Sequence, residues 1–201
     1  MKKQIEKAIK AYDKIAEIYS KYTYNQIQQY QLTKFISLLK GKKILDVGCG
    51  CGRDVEYFLQ EGYNAIGVDL SEKMLKQANK IVPKIKLKKQ DFTDLQFKKE
   101  SFHGIWSMVS LVNIPRKKII KVLKGFNDIL TKKGILYLTV EEGEGEKNIK
   151  KPKYNNELIR YVYFTEEEMQ DYLKKAGFKI LESEIIKLED CTLLEIFAEK
   201  E

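Results

Sequence analysis

The stretch Ile44–Asp54, ILDVGCGCGRD, decides the fold of this 201-residue chain. Lys43–Val47 is a short run rich in branched apolar residues, which predicts a buried strand. Gly48, Gly50 and Gly52 follow at a spacing of two, and glycine permits the positive φ angles of a tight turn. A helix that begins near Gly52 would point its free backbone N–H groups at a ligand. The stretch therefore predicts a strand, a ligand-binding turn and a helix.

Two acidic residues narrow the class of ligand. Asp69 ends a second predicted strand, NAIGVDL at Asn64–Leu70, where an acid can accept hydrogen bonds from ribose hydroxyls. Asp46 precedes the first glycine by two residues, and its carboxylate would repel a pyrophosphate but attract the ammonium group of a methionine moiety. The third glycine also arrives one position earlier than in a dinucleotide fingerprint. The turn therefore favours a cationic, adenosine-containing cofactor over a dinucleotide.

Five segments that include this turn occur in order along the chain. They are DVGCGCGRD from Asp46, GVDLS from Gly67, KKQDFTDL from Lys88, FHGIWSMVSLVNIP from Phe102 and KKGILYLTV from Lys132. With these segments the chain resembles the class I S-adenosylmethionine-dependent methyltransferases, from about Tyr12 to its last residue. The resemblance implies S-adenosylmethionine as the cofactor and S-adenosylhomocysteine as the product.

The resemblance also implies where the cofactor binds. In this family the glycine turn lies under the methionine moiety, an acid after the second strand holds the ribose, and an Asp after the third strand reads the adenine. Arg53 is expected either to meet the cofactor carboxylate or to form a surface ion pair. The residues predicted to bind the cofactor are Tyr19, Asp46, Gly48, Cys49, Gly50, Arg53, Asp69, Leu70, Met74, Asp91, Phe92, Ser107 and Met108.

The methyl acceptor is expected at the carboxyl ends of the fourth and fifth strands. Relatives often carry histidine where this chain has Asn113, so the resemblance indicates no strong base there, and Asn113 could equally cap a helix before Pro115. Methyl transfer mainly requires positioning and desolvation. The segment after the fifth strand is expected to be either a solvated, flexible loop or an acceptor wall. The acceptor-pocket candidates are Ser110, Asn113, Glu141, Arg160, Tyr161 and Tyr163.

His103, the only histidine, is an obvious candidate base until its position is considered. It starts the predicted fourth strand, and at ~3.3 Å per residue the carboxyl end lies roughly 20 Å away. We therefore expect a structural or surface role for His103, and we assign no residue as a general base.

The pattern of helices and strands predicts one α/β domain over residues 1–201. We expect a helical lid over 1–40 and a Rossmann-like core over 41–201, with a closing hairpin at 179–188 and 192–198. The resemblance supplies the architecture, a three-layer sandwich around a seven-stranded, mostly parallel sheet. Its strand order is 3-2-1-4-5-7-6, with strand 7 antiparallel.

The composition limits the kinds of binding partner that we expect. No apolar run reaches the ~20 residues of a membrane span, and the N-terminus lacks the apolar core of a signal peptide, so we expect a cytoplasmic protein without membrane contact. The chain has only three cysteines and one histidine, too few for a typical zinc site, and we predict no metal. The net charge of +8 comes mostly from scattered lysines, which favours a solvated surface over a nucleic-acid-binding face. We expect a monomer or a homodimer.

These observations predict an S-adenosylmethionine-dependent methyltransferase that methylates a small molecule by SN2 displacement. Two alternatives remain open from the sequence. One is a methyltransferase directed at RNA or protein, and the other is a non-catalytic domain that binds S-adenosylmethionine.

Overall fold

The computed structural model describes residues 2–201, with side chains from residue 4 onward. Its α-helices are α1 Lys2–Thr23, α2 Gln29–Leu38, α3 Arg53–Gln60, α4 Glu72–Ile81, α5 Ile119–Ile129 and α6 Glu166–Lys175. Its strands are β1 Lys43–Val47, β2 Asn64–Asp69, β3 Leu87–Lys89, β4 Phe102–Met108, β5 Leu130–Glu141, β6 Glu146–Lys150, β7 Leu158–Val162, β8 Phe178–Lys187 and β9 Thr192–Lys200.

Seven of these strands form one sheet in the order β3-β2-β1-β4-β5-β9-β8. β1 pairs in parallel with β2 and β4, and β4 pairs in parallel with β5. β9 runs antiparallel to both of its neighbours, β5 and β8. Numbered within this sheet alone, the order is 3-2-1-4-5-7-6 with strand 7 antiparallel, so the predicted topology is confirmed.

A second, two-stranded sheet was not predicted. β6 pairs antiparallel with β7, with Ile149 opposite Ile159 and Lys147 opposite Tyr161. The expectation of a flexible loop after the fifth strand is wrong for these residues. Ile159 and Tyr161 are buried on one side of β7, and this burial gives the hairpin an apolar face to pack on the domain.

The main sheet is packed on both faces, which makes the domain a three-layer sandwich. On one face, α5 and α6 cover a cluster that includes Phe126 and Leu173. On the other face, Phe35 of α2 packs edge-on against Trp106 of β4, with ring centroids 5.3 Å apart. Trp106 in turn stacks on Tyr137 of β5 at 3.8 Å. The helices packed on the two faces fix the positions of the strands, including the edge where β1, β2, β4 and β5 end.

The two N-terminal helices have different positions. α2 belongs to the core, since Phe35 is fully buried. α1 instead crosses the carboxyl edge of the sheet and is fastened to the start of α4. There the Asp13 carboxylate accepts hydrogen bonds from the Ser71 hydroxyl at 2.6 Å and from the Lys73 backbone N–H at 3.3 Å. Of these two helices, α1 is therefore the one that covers the edge at which ligands bind in such sheets.

Candidate functional site

Two adjoining cavities lie under α1 at the carboxyl ends of the strands. The first, of about 100 Å³, is the α4-side cavity, and the second, of about 200 Å³, is the β5-side cavity. Some residues line the α4-side cavity and not the other, among them Asp69, Leu70, Met74, Phe92 and Asn113. Other residues line only the β5-side cavity, among them Asp46, Arg53, Glu141, Lys151, Tyr154 and Tyr161. Both share Tyr12, Tyr19, Gly48, Gly50, Met108 and Val109.

The glycine turn separates β1 from α3 and forms the floor that the cavities share. Gly48, Gly50 and Gly52 all have positive φ angles, of 74°, 51° and 79°. A Cβ atom at Gly48 would lie 2.5 Å from the Ser110 Cβ, whereas a Cβ at Gly50 would meet no protein atom within 4 Å. Gly48 is therefore required by the protein itself. Gly50 faces open space, and this space would let a ligand approach the backbone.

Asp69 is held at the end of β2 by backbone donors on two sides. Its Oδ2 accepts a hydrogen bond from the Gly50 N–H at 3.0 Å, and its Oδ1 accepts one from the Ser71 N–H at 2.8 Å. Burial raises the pKa of this carboxyl, and the backbone hydrogen bonds partly offset that effect. Each oxygen keeps a second acceptor position, so Asp69 can still bind a pair of hydroxyls.

Apolar side chains enclose the rest of the α4-side cavity. Leu70, Met74 and Phe92 lie on the core side, and Ile5 and Ile9 of α1 lie opposite. Such a slot suits a flat, largely apolar ring.

The β5-side cavity contains buried acidic groups. Asp46 is only 3% exposed, and burial together with the nearby Asp54 carboxylate raises its pKa well above the usual range. Glu141, the last residue of β5, is 6% exposed, and burial raises its pKa as well. A cationic ligand would relieve this cost, because an opposite charge favours the ionised carboxylate.

Arg53 forms a buried ion pair with its neighbour. Its Nε and Nη2 donate to the two oxygens of Asp54 at 2.6 and 2.7 Å, and Asp54 also accepts from Trp106 Nε1 at 2.9 Å. Nη1 donates to the Thr23 carbonyl at 3.1 Å, and Nη2 approaches the Met108 sulfur at 3.0 Å. Arg53 does form an ion pair, but the prediction that this pair lies at the surface is wrong, because both side chains are buried. The pair anchors the turn to β4.

The segment that follows β4 borders the cavities: Val109 lines both of them, and Ser110 and Asn113 line the α4-side cavity. The Ser107 and Ser110 hydroxyls are hydrogen-bonded at 2.7 Å. Val109 has a φ of 51°, an unfavourable conformation for a β-branched residue, and its N–H donates to the Thr139 hydroxyl at 2.9 Å. Asn113 donates to the Tyr12 hydroxyl at 3.3 Å, while its Oδ1 is buried without a partner among the described residues. The unpaired oxygen leaves one acceptor available to a ligand.

The sequence of residues 44–134 matches the family described as "Methyltransferase domain". This match covers just under half of the chain, and it agrees with the resemblance to the class I S-adenosylmethionine-dependent methyltransferases. An uncharacterized protein of Haemophilus influenzae is 36% identical over a region covering 61% of this chain and 45% of that protein. An uncharacterized methyltransferase of Synechocystis is 28% identical over 51% of this chain and 49% of the relative. The chain thus spans about half the length of these curated relatives.

A solved structure of an S-adenosylmethionine-dependent methyltransferase from Methanosarcina mazei has the same fold. The two superpose with a TM-score of 0.75 at 21% identity, covering 85% of this chain and 96% of the other. At this identity the likeness supports the methyltransferase fold.

The cavities fit the cofactor that this family uses. The open space above Gly50, the paired acceptors of Asp69 and the apolar slot beside it match a methionine moiety, a ribose and an adenine. Asp91 does not line either cavity, and its Oδ1 instead accepts a hydrogen bond from the Thr93 N–H at 2.8 Å. The residues suited to hold S-adenosylmethionine are therefore those of the turn, Asp69, and the apolar set Leu70, Met74 and Phe92.

Three candidates from the sequence lie away from the cavities. Arg160 is paired with Glu146 on the β6–β7 hairpin, and its Nε lies 3.1 Å from the Glu146 carboxylate. Tyr163 is half-buried with Lys147 over its ring at 5.3 Å, and it lines neither cavity. His103 packs against Gly41 at the opposite edge and accepts a hydrogen bond from the Lys43 N–H at 3.3 Å. Arg160 and Tyr163 thus line neither of these two cavities, and their roles in an acceptor wall stay predictions.

The sequence alone did not reveal several residues that line the cavities or hold α1 over them. Lys151 places its Nζ 3.8 Å from Glu141 and 4.8 Å from the centre of the Tyr161 ring. Asp13 fastens α1 to α4. Ser71 offered one signal, since a serine before a helix indicates an N-terminus with free donors, but no sequence pattern connects it to Asp13.

Across residues 2–201, no helix is both long and apolar enough to cross a bilayer. The described part of the chain also contains no group of three or more His, Cys, Asp or Glu residues placed to hold a metal ion.

Proposed function

We propose that this protein transfers the methyl group of S-adenosylmethionine to a small-molecule acceptor. One observation carries the proposal. The α4-side cavity, suited to adenosine, and the β5-side cavity, lined by Glu141 and tyrosines, meet at the glycine turn. A cofactor with its adenosine in the first would present its sulfonium toward the second. α1 roofs both cavities, so an acceptor in the second must be small.

Little acid–base chemistry is needed for this reaction. When bound, S-adenosylmethionine supplies a methyl carbon attached to a positively charged sulfur. In the methyl transfer that this group would support, a lone pair of the acceptor would bond to that carbon, and the electrons of the broken carbon–sulfur bond would stay on sulfur. The side chains of Tyr12, Tyr19 and Met108 exclude water from the shared space, and the turn orients the reactants. Positioning and desolvation of this kind can supply most of the catalysis.

The surface charge supports a small acceptor rather than a nucleic acid. All three arginines are paired with carboxylates: Arg53 with Asp54, Arg116 with Glu168 and Arg160 with Glu146. Paired arginines are poorly available to phosphates. Scattered lysines alone do not build a continuous phosphate track.

The test has two parts. Calorimetry with S-adenosylhomocysteine measures cofactor binding, and radiolabelled S-adenosylmethionine incubated with fractionated extract of the source organism reports where the methyl group goes. We expect binding and label in the low-mass fraction. Label in RNA or protein would favour the macromolecular alternative, binding without transfer would favour a non-catalytic domain, and no binding would refute the cofactor assignment.

Variants localise the acceptor. Tyr161→Leu removes an aromatic wall of the β5-side cavity while keeping an apolar side chain, so it should lower turnover about tenfold or more and spare S-adenosylhomocysteine affinity. Tyr163→Leu is the matched control, because Tyr163 lies two residues away on the same segment and outside both cavities. Equal losses in the two variants would contradict the proposed acceptor cavity.

A further inference from the structure

Glu141 is a buried carboxylate with unused acceptor positions. Its backbone is fixed on both sides, because Glu141 pairs with Leu193 of β9 and its carbonyl accepts from the Phe164 N–H at 3.1 Å. No group in the described chain hydrogen-bonds to its carboxylate. The nearest cation, Lys151 Nζ, is 3.8 Å away, beyond hydrogen-bonding distance. A largely buried carboxylate that faces a cavity without a hydrogen bond is a candidate functional group.

The surroundings of Glu141 already accommodate an ammonium group. Lys151 Nζ lies over the Tyr161 ring at 4.8 Å from its centre, and Tyr154 lines the same cavity. Aromatic faces attract cations, and desolvation strengthens that attraction. The Lys151 side chain is 20% exposed, so it has a route to solvent along its flexible stem.

We propose that the methyl acceptor is an amine whose nitrogen hydrogen-bonds to Glu141, displacing the Lys151 ammonium from beside the Tyr161 ring. This inference rests on the proposed methyl transfer. It assigns Glu141 as the residue that selects the acceptor and receives its proton.

The charges around the cavity disfavour an anionic acceptor. Each cation that lines it already lies beside a carboxylate: Arg53 beside Asp54, Lys151 beside Glu141, and Lys153 beside Asp190 at 2.8 Å. Asp46 adds a further buried carboxyl to the same lining. An anion would have to separate one of these pairs, whereas an amine adds a partner to an acid that lacks hydrogen bonds.

An amine that enters as an ammonium ion first gives one proton to the Glu141 carboxylate, which frees its lone pair. That lone pair bonds to the methyl carbon, and the carbon–sulfur bond breaks with its electrons returning to sulfur. Glu141 then releases its proton to solvent, and the product leaves as a methylated ammonium ion together with S-adenosylhomocysteine.

The first experiment identifies the methylated atom. Labelled products in the low-mass fraction of extract are separated by cation exchange and treated with base. We expect label in molecules retained as cations and stable to base, as N-methyl compounds are. Label released by base as methanol, which indicates methyl esters, or label confined to neutral or acidic products would overturn the proposal.

The second experiment measures binding without turnover. Protein saturated with S-adenosylhomocysteine is titrated with benzylamine, benzyl alcohol and benzoate, which share one ring and differ in charge. An apolar cavity of ~150 Å³ holds a benzene ring, so these probes suit the β5-side cavity. We expect benzylamine to bind at least tenfold more tightly than either isostere. Preference for benzoate or the alcohol, or no binding of benzylamine, would contradict the proposal.

Variants separate the charge of Glu141 from the general acidity of its segment. Glu141→Gln should abolish the preference for benzylamine, whereas Glu144→Gln, which alters an exposed acid three residues away, should retain it. Lys151→Gln should tighten benzylamine binding, because it removes the internal competitor. An unchanged preference in Glu141→Gln, or weaker amine binding in Lys151→Gln, would overturn the assignment.

Failure of this inference is distinguishable from failure of the proposed function. The small-acceptor function would be refuted if the parent protein does not bind S-adenosylhomocysteine. It would also be refuted if the methyl group is transferred only to RNA or protein. Intact binding with transfer to a low-mass alcohol, thiol or carboxylate would leave that function standing and refute only the choice of an amine.

Discussion

The buried pair between Arg53 and Asp54 yields a large stability prediction. Asp54 accepts two charge-assisted bonds from Arg53, at 2.6 and 2.7 Å, and a third bond from Trp106 at 2.9 Å. Both side chains of the pair are nearly inaccessible, at 12% and 7% exposure. Asp54→Asn keeps the shape but replaces one acceptor oxygen with a donor that faces the guanidinium. It also leaves the arginine charge uncompensated in a buried setting.

Breaking a buried pair from one side costs about 3–5 kcal/mol. The asparagine oxygen can still accept one of the three bonds, so we expect a loss near the lower end, about 3 kcal/mol. For a domain of this size, each kcal/mol lowers Tm by roughly 2–4 °C, so Tm should fall by roughly 6–12 °C.

Urea unfolding measures this loss by two signals. Trp106 is the only tryptophan, and its fluorescence reports directly on the β4 environment, while circular dichroism reports on the helices. Asp171→Asn is the control, because Asp171 forms an exposed i,i+4 pair with Lys175 and should cost at most about 0.5 kcal/mol. A loss of less than about 1 kcal/mol for Asp54→Asn would refute the buried-pair argument.

Four further outcomes are expected. Asp69→Ala should weaken S-adenosylhomocysteine binding by ~1–3 kcal/mol in calorimetry, and unchanged affinity in a folded variant would remove Asp69 from the ribose site. Gly50→Val should stay folded but lose cofactor binding, since its side chain fills space that the protein leaves open; binding equal to the parent would move the cofactor off the turn. His103→Asn should leave the rate of methyl transfer within a few-fold of the parent rate. A ~100-fold loss would show that His103 has a catalytic role although it lies at the edge opposite the cavities. Transfer to an amine should fall as pH drops through the raised pKa of Glu141, because the protonated carboxyl cannot accept a proton, and an identical pH profile in Glu141→Gln would contradict this role.

The local features of the site could be predicted from the sequence because they depend on neighbours along the chain. The turn at Gly48, Gly50 and Gly52 requires positive φ angles, and glycine spacing alone reveals that requirement. The helices that follow Ser71 and Thr165 also begin at local caps, since the Ser71 hydroxyl accepts from the Met74 N–H and Thr165 forms a capping box with Glu168. Asp69 follows from the same logic, since it ends β2, which starts only a few residues after α3.

The β6–β7 hairpin shows why neighbouring residues were harder to assign. Arg160 and Tyr161 are adjacent in sequence, but strand pairing sends consecutive side chains to opposite faces. Tyr161 therefore lines the cavity, whereas Arg160 pairs with Glu146 outside it. A one-residue change of register would have exchanged their roles, and the sequence between the strands does not determine that register.

The sequence by itself determined the glycine turn and the strands on either side of it, and through family resemblance the topology of the main sheet. Only the tertiary structure decided which distant side chains meet at the site. Asp13 reaches Ser71 across 58 positions, and Lys151, which follows β6, reaches back to Glu141 at the end of β5. Such contacts depend on how α1 and the β6–β7 hairpin pack on the sheet edge. Local propensity carries no information about these partners, because the contacts form only when separate elements bury their apolar faces together.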